Sequence, residues 1–429
     1  MKKFFLLLLA IPLFSITLDE LTDYALKNSI LIKKMKNETN LSRLNKKESQ
    51  RKQYGEFNLV GDYNHYNIER TLAPLPPSVM MSGKPVTTSK DIYTLGVNYV
   101  IPLFTGFAQT RDIEINSIAK KMSEAKTKLT KEQLIYNIRS LYLAILIQKN
   151  ILKAQKSYIQ ALQNLKDDIA YKVKLGKKAE VDLIKVEADL EEAKATAQLL
   201  NSNIKITKAT LSSLTNKDIK KVSDINIKVK KINYDIDKLY TKIDHLQKLK
   251  IEELSIKKSD KMIDKSRSQL FPQVNLNAYY GKNYGEDIKT GDWDNEKIYQ
   301  VGVNLKYNLI DFGKRSINVQ KAKIAKLQAK LHKQQTMLDM KKLLTEAVSK
   351  IKHSYWDYKS NKARYKLVAK SQKIEKVRYE NSVSTINDLL LAEAKKQLAK
   401  AKLIESKYNY KKSIYFLDYV MERGEKYGQ

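Results

Sequence analysis

The chain has no cysteine and few helix breakers: 13 Gly and 7 Pro in 429 residues, where average usage of about 7% and 5% gives roughly 30 and 21. Without cysteine there is no disulfide scaffold, iron–sulfur cluster, thiolate-bound zinc, cysteine nucleophile or lipid anchor on an N-terminal cysteine. The shortage of Gly and Pro excludes collagenous, low-complexity and loop-rich all-β chains. It also disfavours a multidomain α/β enzyme, which needs many glycine-bearing turns. The four histidines, His65, His245, His332 and His353, are scattered without metal-ligand spacing. No phosphate-binding loop, dinucleotide fingerprint or Gly-x-Ser-x-Gly motif occurs. Glu191-Glu192 and Asp167-Asp168 read as solvated helix faces rather than paired catalytic carboxylates. The sequence therefore predicts no catalytic residue, no cofactor and no metal site, and the chain is not expected to be an enzyme.

Charge is one-sided, with 80 Lys and Arg against 47 Asp and Glu, a formal net charge of +33. Only ten of the basic residues are Arg. Lysine spread evenly along the chain, with no Arg cluster, describes solvated helix faces, so nucleic acid is not an expected partner. A surface that meets anionic lipid tolerates such a balance.

What is present is organised by where the breakers fall. Positions 107–271 and 314–423 hold no proline and, between them, one glycine, Gly176. Both stretches are rich in Lys, Leu, Ala, Glu, Gln and Ile, which favours long helices. Most other breakers cluster at 55–106 and 272–313, where short β segments are expected. At the N-terminus Lys2 and Lys3 precede an apolar run over 4–14 and then Ser15. That run is too short to span a bilayer and has the pattern of a secretory signal, expected to be cleaved near Ser15. No later segment has about 18 uninterrupted apolar residues, so no transmembrane helix is predicted.

The chain repeats itself. Tyr93-Thr-Leu-Gly-Val-Asn-Tyr-Val-Ile-Pro-Leu-Phe104 aligns without gaps on Tyr299-Gln-Val-Gly-Val-Asn-Leu-Lys-Tyr-Asn-Leu-Ile310, an offset of 206. The same offset carries Asp182, Leu183, Glu187 and Ala188 onto Asp388, Leu389, Glu393 and Ala394. Asn58-Leu59 and Asn275-Leu276 match at 217, so the loop between strands is 11 residues longer in the first half. The expected organisation is a signal segment at 1–15 and a first repeat at 16–214, with strands near 55–66 and 92–103 and a tip near 173–182. An equatorial linker follows at 215–234. The second repeat occupies 235–421, with strands near 272–281 and 298–309 and a tip near 379–388, and 422–429 is a tail.

The strands alternate. Tyr93, Leu95, Val97, Tyr99 and Ile101 share one face, as do Tyr299, Val301, Val303, Leu305 and Tyr307; Gly96, Asn98, Gly302 and Asn304 lie on the other. A half-buried sheet of a soluble protein has the same alternation. The secretory signal and the lack of a transmembrane helix favour a transmembrane β-barrel, with Tyr93, Tyr99, Tyr299 and Tyr307 as membrane-facing aromatics. Four strands cannot close a barrel, and open edges are not tolerated in lipid, so copies must associate; three copies supply 12 strands.

The helices can run about 65 residues each, about 100 Å at 1.5 Å per residue. Leu134, Ile138, Leu141, Ile145, Gln148, Leu152, Gln155, Ile159 and Leu162 form a coiled-coil seam. Ile135, Tyr142, Leu143, Leu146 and Ile147 widen it, so contacts on two sides are expected. Each long helix ends in a turn before a returning helix. Gly176 suits a left-handed helix end, and Ser382 takes its place in the second half.

Together these segments resemble the outer membrane efflux protein family, the TolC-type channels. The resemblance is carried by Leu18-Asp-Glu-Leu-Thr-Asp-Tyr-Ala-Leu-Lys-Asn28, Ser266-Arg-Ser-Gln-Leu-Phe-Pro-Gln-Val274, Ile101-Pro-Leu-Phe-Thr-Gly106, Leu309-Ile-Asp-Phe-Gly313 and the segment from Arg378 to Leu390. It implies a mainly α fold with a small β part. Long coiled-coil hairpins would form a trimeric α-barrel in the periplasm, and four strands per chain would enter a 12-stranded outer-membrane barrel. It further implies a homotrimer in outer-membrane lipid, a periplasmic adaptor, and an inner-membrane pump of the proton-driven RND or ATP-driven ABC class. The role implied is export, in a tripartite efflux pump or a type I secretion system. In relatives the closed tip is often ringed by two aspartates three residues apart. Here Asp388 matches the first and Leu391 occupies the second, so a less acidic aperture is expected, formed by Gly176, Asp182, Ser382, Asp388 and Leu391.

Two function classes stay open at this point: a passive trimeric export conduit, and a structural or adhesive coiled-coil protein of the cell envelope without a pore. The paired amphipathic strands separate them, because a spacer needs none.

Overall fold

A computed structural model describes residues 15–83 and 85–424; the expected signal segment and most of the tail lie outside these. In order, the chain forms α1 (Leu18–Asn28), α2 (Ile30–Arg51), β1 (Glu56–Thr71), the short α3 (Pro77–Met81), β2 (Thr88–Phe104), α4 (Ala108–Lys174) and α5 (Glu180–Thr215). After an irregular segment come α6 (Ile236–Tyr240), α7 (Gln247–Ser268), β3 (Gln273–Glu286), β4 (Trp293–Lys306), α8 (Lys314–Glu380) and α9 (Ile386–Val420). The breaker-free stretches are the helices. α4 and α8 are each 67 residues long, and no helix among the described residues is apolar enough to cross a membrane.

The chain divides into two compact units, each drawing on both repeats. One unit, residues 38–124 and 251–333, holds the sheet, a single antiparallel layer in the order β1-β2-β3-β4. Its two hairpins share one register: Phe57 opposes Tyr99, and Val274 opposes Leu305. Those pairs are related by 217 along the first strand and 206 along the second. The duplication therefore reaches the hydrogen-bond ladder, and the extra 11 residues fall in the β1–β2 loop. In the same unit α4 is tied to α7 by Lys265–Asp112 at 2.6 Å and Lys261–Glu114 at 3.0 Å, and α7 to α8 by Lys333–Glu253 at 2.9 Å. These pairs are part-exposed and add little stability each; they organise a surface of mixed charge.

The other unit, residues 15–37, 125–250 and 334–424, contains the cores. Leu134, Ile138 and Ile145 of α4 bury against α1, α5 and the linker residues Ile219, Val222 and Ile227. Met340, Leu344 and Ile351 of α8 bury against α6, α7 and α9. Each of these three α8 residues lies 206 positions after its α4 counterpart, as Leu417 does after Leu211, so both halves bury one seam. α4 also buries Ile135, Tyr142, Leu143 and Leu146, the second stripe read from the sequence. The linker is held by side chains instead of its own secondary structure. Tyr142 Oη lies 2.9 Å from the carbonyl oxygen of Ile16 and 2.7 Å from that of Ser223, in register with a short parallel bridge between Ile16 and Val222. Burial pushes the Tyr142 phenol up to about 12. Tyr410 Oη similarly donates to the Lys230 carbonyl. Gly424 is latched to α4: its N donates to Glu132 Oε2 at 2.7 Å, and Arg139 Nη2 donates to its carbonyl at 3.1 Å.

Removing the Tyr142 hydroxyl deprives two carbonyls of their shared donor in a buried site. Tyr142→Phe is expected to cost about 1–3 kcal/mol. Thermal unfolding of the purified protein checks this; an unchanged midpoint would show that water replaces the phenol.

Candidate membrane sheet and helical tips

Strand alternation and register together decide what each face of the sheet offers. One face carries Phe57, Leu59 and Tyr63 of β1; Tyr93, Leu95, Val97, Tyr99 and Ile101 of β2; Leu276, Ala278 and Tyr280 of β3; and Tyr299, Val301, Val303 and Leu305 of β4. Two rows, Phe57-Tyr99-Ala278-Val301 and Leu59-Val97-Tyr280-Tyr299, run apolar across all four strands, and no other element among the described residues covers them: Leu59 is 76% exposed, Tyr299 82% and Val301 71%. The opposite face carries Asn58, Asn98, Tyr279 and Gln300 in one row and Asp62, Thr94, Asn283 and Glu296 in another. An apolar face left bare beside a polar one is the arrangement of a transmembrane barrel wall, with lipid outside and water inside.

Gly96 is needed here for a local reason. The Tyr279 ring lies across it and Gly281, and a Cβ at either position would come within 3 Å of the Tyr279 hydroxyl. Gly302, its repeat counterpart, faces open space, so the matched glycines serve different local environments.

The expected membrane-facing aromatics fall as follows. Tyr93 is on the apolar face, its ring 4.8 Å from Tyr63 and 5.4 Å from Trp293. Tyr99 packs 5.9 Å from Phe57 and donates to the Tyr54 carbonyl at 2.7 Å. Tyr299 stands directly opposite Tyr280. Tyr307 lies one residue beyond β4, which ends at Lys306. The ladder stops at Gln273–Lys306 because Pro272 precedes β3 and has no N–H to extend the pairing. The chain then turns at Asp311, whose carboxylate accepts from Arg315 N and Arg315 Nε. Phe57, Tyr63, Tyr280 and Tyr284 lie on the same face, and register adds Trp293 beside Tyr93.

The tips repeat a single motif. Gly176 N bonds the Val173 carbonyl and Lys177 N the Lys172 carbonyl; Ser382 N bonds the Tyr379 carbonyl and Val383 N the Arg378 carbonyl. These are Schellman turns whose pivots are Gly176 at φ +67° and Ser382 at φ +60°. Serine thus accepts the left-handed conformation, at about 1 kcal/mol relative to glycine.

The returning helices begin differently. α5 starts at Ala179 with no side-chain cap, whereas α9 starts with a capping box. Asp388 N donates to Thr385 Oγ1, and Thr385 N donates to Asp388 Oδ2 at 3.0 Å. The hydrogen bonds from the Thr385 side chain and backbone hold the Asp388 carboxyl below the usual carboxylate range. A Thr-x-x-Asp pattern at 385–388 signalled this cap. Asp388 is therefore engaged by its own helix end, while Asp182 at the matching position is half-buried and uncapped. Leu391 is 54% exposed.

Beneath the tips Leu162, Ile169, Val186, Leu190, Ile386, Leu389 and Leu390 enclose Tyr379. Among the described residues its hydroxyl has no hydrogen-bond partner, and burial, with Asp182 and Asp168 adding, pushes the phenol up to about 12. A cavity of about 510 Å³ adjoins it, lined in part by Asp168, Lys172, Glu380 and Glu393. Tyr379 was not singled out in the sequence, because its burial depends on packing among four helices.

Comparison with known proteins agrees with this geometry. Residues 244–417 match the family described as outer membrane efflux protein. That match lies wholly in the second half of the chain. No curated protein matches the chain. Among solved structures, the Campylobacter jejuni CmeC outer membrane channel superposes with TM-score 0.79 at 18% identity, over 95% of this chain and 86% of that one. The Vibrio cholerae outer membrane protein VceC gives 0.75 at 13%, over 94% and 96%. The Neisseria gonorrhoeae MtrE outer membrane channel, solved in an open state, gives 0.75 at 15%, over 95% and 89%. The chain shares the fold of these outer-membrane channels along nearly its whole length.

Ser382→Gly should relieve the backbone strain at the second tip and stabilise the protein by up to about 1 kcal/mol, while Thr385→Ala should cost about 1 kcal/mol by removing the cap. Hydrogen exchange at the amides of 383–390 checks both; equal protection in the two variants would contradict the opposed roles given to these residues.

Proposed function

We propose that the chain is an outer-membrane export channel that works as a homotrimer. The observation that carries this reading is the sheet: four strands, a bare apolar face, a polar face behind it, and unpaired edges at β1 and β4. In lipid every backbone group needs a partner, and only a closed barrel supplies one. β4 of one copy pairing with β1 of the next closes a 12-stranded barrel from three copies, a size within the known range. The hairpin ends of the strands then face outward from the cell, and the ends joined to α4 and α8 face the periplasm.

The helices support association as well. α8 exposes Ile317, Ile324, Leu331 and Leu338 at seven-residue spacing, a seam suited to a neighbouring copy. The pore is passive. Its driving partners are a periplasmic adaptor at the helical hairpins and an inner-membrane pump of the RND or ABC class, so the chain serves a tripartite efflux pump or a type I secretion system. A structural or adhesive spacer would bury or lack the apolar sheet face, which disfavours that reading.

Purified protein in detergent is expected to run as a heat-sensitive trimer and to conduct in planar bilayers; monomeric, detergent-independent material would overturn the proposal. Leu331→Lys is expected to dissociate the trimer in cross-linking assays. Leu391→Asp, which restores a second acidic position beside Asp388, should make conductance more sensitive to divalent cations.

A further inference from the structure

The apolar face of the sheet is interrupted by two lysines. Lys282 of β3 and Lys297 of β4 stand directly opposite each other. Register places them in one row with Leu95 and Gly61, on the same face as Tyr280 and Tyr299 in the row before. Among the residues paired in the ladder, they are the lysines of this face. In the next row stand Tyr63, Tyr93 and Tyr284, and Trp293 stacks near Tyr93.

Like charges directly opposite on a sheet repel. Among the described residues neither ammonium has an ion-pair partner, and the Tyr284 ring lies 6.0 Å from Lys282 Nζ. The acids of the same face are placed elsewhere. Asp91 accepts from Tyr63 at 2.7 Å and contacts His65 at 2.7 Å, and Glu286 is opposite Trp293, two rows away. The lysines lie where the apolar rows end and the aromatic row begins, the level of lipid headgroups for a barrel wall.

We infer that Lys282 and Lys297 form a binding site for the phosphate of an anionic membrane lipid. One phosphate group has enough acceptor oxygens to bridge two ammoniums held about 5 Å apart at their Cβ atoms. Its acyl chains then lie along Leu95, Tyr299, Val301 and Val303, while Tyr284 and Trp293 flank the headgroup. The lipid cancels the repulsion, so occupancy stabilises the β3–β4 hairpin. This inference rests on the membrane placement proposed above.

The test uses the full-length protein in neutral detergent, with phosphatidic acid as probe and phosphatidylcholine and inorganic phosphate as controls. Phosphatidic acid should raise the melting temperature of the oligomer and be retained in native mass spectra, and the controls should do neither. Lys282→Gln/Lys297→Gln should weaken retention about tenfold or more. Lys297→Glu creates an opposite-charge pair with Lys282, so it should raise the lipid-free melting temperature while abolishing the response to phosphatidic acid. Undiminished retention in the double variant, or equal stabilisation by inorganic phosphate, overturns the lipid site. Bilayer conductance judges the other reading separately: the lysine variants should conduct like the parent, whereas a parent that neither inserts nor conducts removes the channel proposal itself.

Discussion

Backbone hydrogen-bonding groups must be paired wherever water is excluded, and this chain alone leaves them unpaired at both edges of its sheet. β1 and β4 are 16 and 14 residues long and have one strand neighbour each. Their apolar face is as bare as their edges. In water such a surface is an aggregation hazard; in a bilayer it is a barrel wall that awaits its neighbours. In the proposed channel, association thus follows from the strand chemistry, and the exposed seam on α8 offers a second surface for it.

Duplication shaped how that requirement is met. The two hairpins share a register, the two helical seams bury matched residues, and the two tips close with the same pair of hydrogen bonds. Where the halves diverge, the divergence is local. Gly96 makes room for Tyr279, while Gly302 has no such neighbour. Ser382 bears a left-handed conformation that Gly176 adopts freely. Asp388 is part of a capping box, and Asp182 is not. The second tip is therefore stiffened by the carboxylate that is proposed to line the aperture. Its charge and its cap are not independent, since the hydrogen bonds that fasten it also favour its ionised form.

Much of this was legible in the sequence because it follows from local rules. Long stretches without Gly or Pro become helices, period-two alternation becomes strands, and a fixed offset of matched residues becomes a duplicated fold. The faces of the strands and the left-handed turns at Gly176 and Ser382 needed no tertiary information, since each depends on neighbours along one strand or within one helical turn. The end of β4 was less legible. Tyr307 continues the alternation, yet the ladder stops before it, because pairing depends on whether the partner strand still has an N–H to offer.

Tertiary structure decided what no single strand or helix can encode. Register brought Lys282 against Lys297 and laid Tyr279 across two glycines. Packing among helices sealed Tyr379 with an unpartnered hydroxyl, and Tyr142 pinned a linker that has little secondary structure of its own. Most of these contacts join residues of different strands and helices. Their existence depends on distances in space, which composition and periodicity do not contain. By itself the sequence determined the elements, their duplication, and the chemistry of each face; the fold determined which of those faces, charges and hydroxyls meet.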